Sequence, residues 1–462
     1  MSEQIGFYGA AETVTGSRHL LTIGKSKVLV DCGLFQGGQQ LRERNWEPFP
    51  IPPNELDAVV ITHAHADHIG LLPRLVAQGY QGPIYATPAT IELCRISLPD
   101  SGRLQEEDAH YHNKHNLSNH NPALPLYTER DAYESLKHFK PVHYYQPHEL
   151  PGGASFVYSP AGHILGSAFA EITFHDGTRL LMSGDLGRYG TPIICDPTVI
   201  DSTDYLVIES TYGDRFHSHE DPLGKIESVI NDVMKSGGAL VIPSFAIGRT
   251  QELLYYFRLL QDQGRMPRIP IYIDSPMAVS VTRVYADASE DLDEQMVASV
   301  KAGKSELEPE GITFVRDREL SKALNSQHGP LIIISGSGMA NGGRVVHHLM
   351  HRIPDSSTIV LFTGYQAEGT LGRRLLEGAP MVHINGQEVQ VRCRIERVNA
   401  LSAHADQGEM MQWLSNFKSA PKMTFIVHGE PPAQEALQAR IEKDLGWSTT
   451  IPNQGDSFEI GS

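Results

Sequence analysis

The chain has 462 residues, of which 38 are Lys or Arg and 55 are Asp or Glu, giving a net charge of −17 with 40% of residues apolar. This length exceeds what one hydrophobic core ordinarily serves, so two domains are expected, and the negative balance excludes the diffuse basic surface that binds nucleic acid through counterion release. No apolar run reaches the roughly 20 residues that span a bilayer, and residues 1–9 lack the basic and apolar regions of a signal peptide, which points to a cytoplasmic protein with no membrane partner.

Residues 5–31 are β-rich. Strands are expected over 19–23 and 27–31, joined by a hairpin turn at Gly24-Lys25-Ser26, with Asp31 at a strand end just before Cys32-Gly33. The four cysteines, Cys32, Cys94, Cys195 and Cys393, form no CxxC pair and read as reduced, mostly buried thiols. The apolar run at 56–61 reads as another strand. Directly after it stands His63-Ala64-His65-Ala66-Asp67-His68, four metal-competent side chains in six positions. His63 and His65, two residues apart at the mouth of a strand, can reach one ion. Asp67 and His68 lie where a helix over 69–78 begins and can turn toward a second. Imidazole with carboxylate suits Zn²⁺, and Mn²⁺ or Fe are compatible with the same donors. His110, His112, His115 and His120 lack the order of a metal site and read as a polar lid or surface helix.

Further strands are expected over 156–160, 168–174 and 179–183. His163 falls on the loop between the first two and Asp185 at the C-terminal end of the third. The adjacent Gly162 and Gly184 let the backbone come close to a metal, and two more donors at strand ends after the histidine cluster favour ligation for both. An αβ pattern follows. A strand at 239–243 leads through Ser244-Phe245-Ala246-Ile247-Gly248-Arg249 into a helix over 250–261. A strand at 269–274 precedes a helix near Pro276, and one at 331–335 passes through Gly336-Ser337-Gly338-Met339 to a helix over 342–351. A last strand at 358–363 precedes the loop 364–373. Repeated strand, loop and helix imply a parallel sheet covered by helices, inserted in the first domain. The charged stretch 287–310 reads as a mostly helical, solvated face. Ser337 and Gly338, in a Gly-rich turn before a helix, could cradle a phosphate with backbone amides, and Arg249 or Arg373 could clamp one.

The series Asp31, His63-x-His65-x-Asp67-His68, His163 and Asp185 resembles the metallo-β-lactamase fold, an αββα sandwich with a dinuclear site at one edge between two sheets. The inserted block is similar to the β-CASP domain of nucleic-acid-processing members. The resemblance is carried by Glu209 in Val207-Ile208-Glu209-Ser210-Thr211-Tyr212-Gly213, His404 in Ser402-Ala403-His404-Ala405-Asp406, and His428 in Val427-His428-Gly429-Glu430. It extends over nearly the whole chain and is strongest toward the branch that includes the endonuclease subunit of cleavage and polyadenylation specificity factor and its short bacterial and archaeal relatives. The implied fold class is α/β: a metallo-β-lactamase sandwich from 1–212 and 396–462, with a β-CASP domain of parallel sheet and flanking helices at 213–395.

What the resemblance implies is a zinc-dependent ribonuclease acting on single-stranded RNA in RNA processing or decay. Its first Zn²⁺ would be held by His63, His65 and His163, and its second by Asp67, His68 and His428. Asp185 would bridge the two, and Asp31 would orient the ligand loop. Hydroxide generated at the metals beside the catalytic Asp67 and Asp185 would attack phosphorus in line, while His404, held by Glu209, protonates the leaving 3′-oxygen. Substrate phosphate would meet Arg249, Ser337, Gly338, and the amides of Ser402 and Ala403. Two alternatives stay open: a hydrolase of small phosphodiesters or other anionic esters, which the acidic charge permits, and a catalytically silent RNA-processing scaffold, against which the complete donor set stands. Endonuclease action is expected, with 5′-exonuclease action open. The short termini leave no room for a KH domain, so RNA choice is expected from the cleft, a homodimer or an RNA-processing partner protein.

Overall fold

The structure, a computed structural model, describes residues 3–115, 122–218, 220–288, 290–364, 366 and 369–461. It divides into two compact units, Met1–Phe216 with His404–Ser462, and His217–Ala403 between them in sequence.

The first unit is built on two seven-stranded sheets. One runs Ser457–Ile460, Glu3–Phe7, His19–Ile23, Ser26–Val30, Ala58–Val60, Ile84–Ala86 and Phe139–Pro141. The other runs Thr449–Thr450, Met423–Val427, Tyr205–Glu209, Arg179–Met182, Ala168–Thr173, Ser155–Pro160 and His148–Glu149. Alternate residues of both point into one shared core: Leu21, Ile23, Val28, Val30 and Val60 from the first meet Phe156, Tyr158, Ala170, Met182, Val207 and Phe425 from the second. Period-two alternation thus sets the register, with Leu21 opposite Val28 and Val207 beside Phe425. Each large aliphatic side chain so buried contributes roughly 1.5–3 kcal/mol. The outer face of the second sheet buries Phe169, Leu181, Leu206 and Ile426 against Trp413 of the helix Gln407–Leu414 and Leu437 of the helix Pro431–Leu445. Ser26–Val30, Ala58–Val60, Ile84–Ala86 and Phe139–Pro141 are mutually parallel. Parallel neighbours need crossovers: the helix Gln39–Glu43 lies in the first, Leu72–Ala77 in the second, and Pro88–His115 with Glu129–Ser135 in the third. The result is an αββα sandwich.

Local departures from the sequence reading have local causes. The helix expected over 69–78 is two helices, Ala66–Ile69 and Leu72–Ala77. Pro73 opens the second with no amide to continue the first, and the Leu71 amide donates to the Cys32 carbonyl at 2.9 Å instead. The hairpin turn is Gly24-Lys25, because Ile23 pairs directly with Ser26 and Gly24 adopts φ +60°. The strand ends at Val30, one residue before Asp31. The helix Pro88–His115 leaves His110 and His115 exposed and His112 half-buried at its C-terminal end; His120 lies outside the described residues. The stretch 287–310 is not only a solvated face, since Leu292, Met296 and Leu307 are buried and give the helix Glu294–Lys301 an inward side. All four cysteines are free thiols, with Cys195 half-buried and the others buried.

The second unit has a six-stranded sheet in the order Ile312–Phe314, Ile271–Ile273, Leu331–Ser335, Ala239–Pro243, Ile359–Phe362 and Arg394–Arg397, parallel throughout. Arg394–Arg397 pairs with Ile359–Phe362, so the inserted sheet runs past residue 395. Helices cover both faces, Arg249–Asp262 through Leu253, Leu254 and Phe257 on one, and Arg344–Arg352 through Val345 and Leu349 on the other. Burial from both sides explains the near-continuous apolar run of Ala239–Pro243.

Candidate metal centre

Ten side chains singled out in the sequence converge in the first unit, Asp31, His63, His65, Asp67, His68, His163, Asp185, Glu209, His404 and His428. The backbone leaves Ala58–Val60, passes Thr62-His63-Ala64, and enters the helix Ala66–Ile69 with His65 at its N-cap. Three backbone bonds pin this loop: the Ser17 amide to the Asp67 carbonyl at 2.8 Å, Cys32 to His68 at 2.7 Å and Leu34 to Ala66 at 2.9 Å. Only glycine fits at 33, where an added Cβ would stand 1.6 Å from the Asp67 carbonyl oxygen. Asp31 follows Ser26–Val30 at φ +60° and His428 follows Met423–Val427 at φ +51°, two non-glycine residues whose strained backbones aim their side chains inward. His163 is held by its amide to Ser167 Oγ at 3.0 Å, and Asp185 follows Arg179–Met182 across Gly184.

The donors form two groups. In the first, His65 Nδ1 lies 3.2 Å from His63 Nε2 and 3.1 Å from His163 Nε2, while Asp185 Oδ2 lies 3.3 and 3.4 Å from those two Nε2 atoms. In the second, His68 Nε2 lies 3.2 Å from His428 Nε2 and 3.2 Å from Asp185 Oδ1, and His428 Nε2 lies 3.4 Å from Asp67 Oδ2. Two atoms each about 2.0–2.1 Å from one tetrahedral ion stand roughly 3.3 Å apart, which is the separation seen in both groups. Asp185 Oδ1 is buried and makes no hydrogen bond although His68 Nε2 is 3.2 Å away. Several imidazole nitrogens and both oxygens of one carboxylate crowded at these distances can all be served at once by an ion between them. The residues therefore fit a pair of divalent metals, His63, His65 and His163 on one side, Asp67, His68 and His428 on the other, with Asp185 reaching both.

The electrostatics agree. Burial holds His63 and His163 below the ordinary histidine range and brings His65 to about 3, so this trio presents neutral lone pairs. At His68 and His428 burial is again the largest single influence and opposes the charge, but the carboxylates together outweigh it, Asp185 with Asp31 at His68 and Asp185 with Asp67 at His428, and both pKa values rise. Burial would raise Asp185, yet His428, His68 and His63 hold its carboxyl well below the usual range. Carboxylates that draw protons onto neighbouring imidazoles lack positive charge. Two divalent ions would bring four such charges to a pocket holding Asp31, Asp67, Asp185 and Glu209.

Supporting groups surround the donors. Asp31 Oδ2 accepts from His68 Nδ1 at 2.7 Å, which directs Nε2 to the centre, and Asp31 Oδ1 accepts from the Thr62 amide at 2.9 Å. Thr62 Oγ1 lies 3.1 Å from His63 Nδ1, and Thr211 Oγ1 lies 3.1 Å from His428 Nδ1. Neither threonine is singled out by the sequence pattern; their only signal is position, one residue before His63 and two after Glu209. Glu209, fully buried at the end of Tyr205–Glu209, accepts from the Leu186 amide at 2.6 Å and the Thr211 amide at 3.2 Å, and each of its oxygens lies 3.1 Å from His404 Nδ1. His404 is itself placed by the Ala405 amide bonding to the Leu186 carbonyl at 2.8 Å. Burial disfavours its charge, but Glu209, by charge and by hydrogen bond, and then Asp185 raise its pKa to about 9. His19 is fully enclosed and lowered to about 4 by burial.

The remaining expected residues lie in the second unit. Arg249 is buried and ion-paired with Glu252. Ser337 Oγ accepts from the Asn341 amide at 3.2 Å, and Gly338 lies so near Phe245 that an added Cβ would meet the ring at 2.6 Å. Ser402 and Ala403 directly precede His404, both half-buried.

Comparison with known proteins agrees with this geometry. Three family models match: the metallo-beta-lactamase superfamily domain over residues 20–183, the Beta-Casp domain over 250–375, and the Zn-dependent metallo-hydrolase RNA specificity domain over 388–452. The chain is 39% identical over 432 residues to ribonuclease TTHA0252 of Thermus thermophilus, covering 93% of this chain and 94% of that protein. It is 30% identical to the transcription termination factor FttA of Pyrococcus abyssi, covering 98% of this chain and 70% of the relative. A crystal structure of a protein of unknown function from Enterococcus faecalis superposes over the full length of both chains with a TM-score of 0.56 at 12% identity, a likeness of fold.

Proposed function

The chain belongs to the β-CASP family of metallo-β-lactamase-fold hydrolases, and we propose that it is a metal-dependent ribonuclease that cuts single-stranded RNA internally, in the cytoplasm, with two Zn²⁺ ions. One observation carries the metal reading: Asp185 offers one carboxylate oxygen to each of two imidazole-rich groups, and its Oδ1 has no other use. The family model for RNA specificity and the relative named a ribonuclease support RNA as the substrate.

His63, His65, His163 and Asp185 Oδ2 would hold one ion, and Asp67, His68, His428 and Asp185 Oδ1 the other. Such a pair, when bound, activates water and neutralises charge on the phosphate oxygens. Asp31 keeps His68 turned toward the centre, and Thr211 does the same for His428. His404 manages the proton. Its Nδ1 faces the Glu209 carboxylate at 3.1 Å, so Nε2 is the atom that hands a proton to the leaving 3′-oxygen, giving 5′-phosphate and 3′-hydroxyl products. A pKa near 9 keeps that proton in place at neutral pH. Labelled single-stranded RNA and a chromogenic phosphodiester, assayed on the same metal-loaded protein, test the substrate. RNA should be preferred by at least about a hundredfold in kcat/KM; equal turnover would make the protein a small-ester hydrolase.

A further inference from the structure

A small cavity lies behind the second donor group. Its volume is about 10 Å³, close to that of one water-sized sphere. Ser17, His19, Asp31, Thr62, His68, Ser183 and His428 supply polar side chains to its lining, and Val30, Met182, Gly184, Val207 and Val427 complete it. His68 and His428 present their ring bodies to it, since their Nδ1 atoms are taken by Asp31 and Thr211.

His19 is the residue the centre does not explain. It is 3% exposed, its ring packs edge-on against Phe7 at 5.3 Å, and its Nδ1 is buried with no protein partner. Such a nitrogen is destabilising unless a hydrogen bond reaches it. Its Nε2 lies 3.4 Å from Ser17 Oγ, which in turn lies 3.4 Å from Asp31 Oδ2. Both are long for such bonds. A leucine would fill this place in an apolar core at lower cost.

We infer that the cavity is a binding site for one internal water that bonds His19, and that His19 is a positioning residue for the second metal position, acting through Ser17 and Asp31 on His68. The inference rests on the two-metal reading of the centre. The water and Ser17 hold Asp31 from below while Thr62 holds it from the side, so the carboxylate keeps its lone pair on His68 Nδ1. Loss of the polar floor frees Asp31 to rotate, and the metal bound by Asp67, His68 and His428 weakens. His63 is one step further off, reached from Asp31 through Thr62 Oγ1, and the Thr62 amide stays bonded to Asp31 Oδ1, so the ion of His63, His65 and His163 is held with little change.

The test is Co²⁺ titration of metal-stripped wild type, His19→Leu, His19→Asn and Ser17→Ala, with the two binding steps read from visible absorption and stoichiometry from elemental analysis. The wild type should take two equivalents. His19→Leu should weaken one step by about tenfold and leave the other nearly unchanged, Ser17→Ala should weaken the same step, and His19→Asn should recover most of the affinity by keeping a polar group against the water. Should His19→Leu fail to fold, His19→Asn and Ser17→Ala carry the comparison. Two unaltered steps in His19→Leu, or in Ser17→Ala where His19→Leu does not fold, would overturn the role of His19 alone, as would equal weakening of both steps. A wild type that binds fewer than two equivalents would overturn the two-metal reading, and this inference with it.

Discussion

Glu209→Gln probes the proton-transfer half of the mechanism without touching a metal donor. The His404 pKa stands at about 9 against an ordinary 6.5, and at 1.36 kcal/mol per tenfold that difference favours the imidazolium by about 3 kcal/mol. Burial works against this charge, so the carboxylates supply more than the net. Glu209 is the largest of them; Asp185 lies farther off, at 3.9 Å. An amide of the same shape removes the charge and returns His404 toward its ordinary range. Because the raised pKa belongs to the active, protonated form, activity is retained below it and lost as pH rises through it. The alkaline limb of kcat/KM should therefore move down by about 1–2 pH units in Glu209→Gln, with about a two- to tenfold loss at pH 8 and little change near pH 6. Some loss of stability accompanies it, since Glu209 accepts from both the Leu186 and Thr211 amides and one of them would then face an NH₂ group. The assay is a pH profile on fluorescent RNA with metal content measured in parallel. An alkaline limb that stays in place while metal content is unchanged would refute the pairing of Glu209 with His404.

Other substitutions separate holding metal from moving protons. His404→Ala should keep both metals by elemental analysis and lose at least about a hundredfold in kcat; cleavage at the wild-type rate would remove its assigned role. Asp185→Asn should lose metal from both positions, because the one carboxylate serves both groups, and should abolish cleavage; loss of one ion only would mean that the two groups are independent. Gly33→Ala, which places a methyl against the Asp67 carbonyl, should lower Tm by several degrees and weaken metal binding, and an unchanged melting curve would show that the loop tolerates displacement.

The first candidate donors were legible beside their own cues, the cluster 63–68 after an apolar run and His163 and Asp185 beside glycines, whereas Glu209, His404 and His428 came from the family resemblance that their short motifs carry. The repeated strand, loop and helix likewise exposed the parallel sheet, while the αββα sandwich was implied by the resemblance. What sequence did not show depends on contacts far apart in the chain. Thr211 matters only because His428 folds back on it, and His19 only because Ser17 and Asp31 meet beneath the centre. The helix break at Gly70 follows from Cys32 competing for the Leu71 amide, a tertiary contact that no local periodicity carries. Arg249 looked available for phosphate from its place at a helix start, yet Glu252, one turn on, occupies it.

The central claim is that two ions, joined by Asp185, cut RNA. Metal-stripped protein should be titrated with Zn²⁺ while cleavage of one single-stranded RNA, labelled at either end in parallel reactions, is followed at each step. Activity should stay near zero through the first equivalent, rise with the second, vanish on chelation, and yield internal fragments from both labels at early times. Full cleavage with one equivalent bound, or cleavage that survives chelator with no metal left on the protein, would contradict the two-metal account.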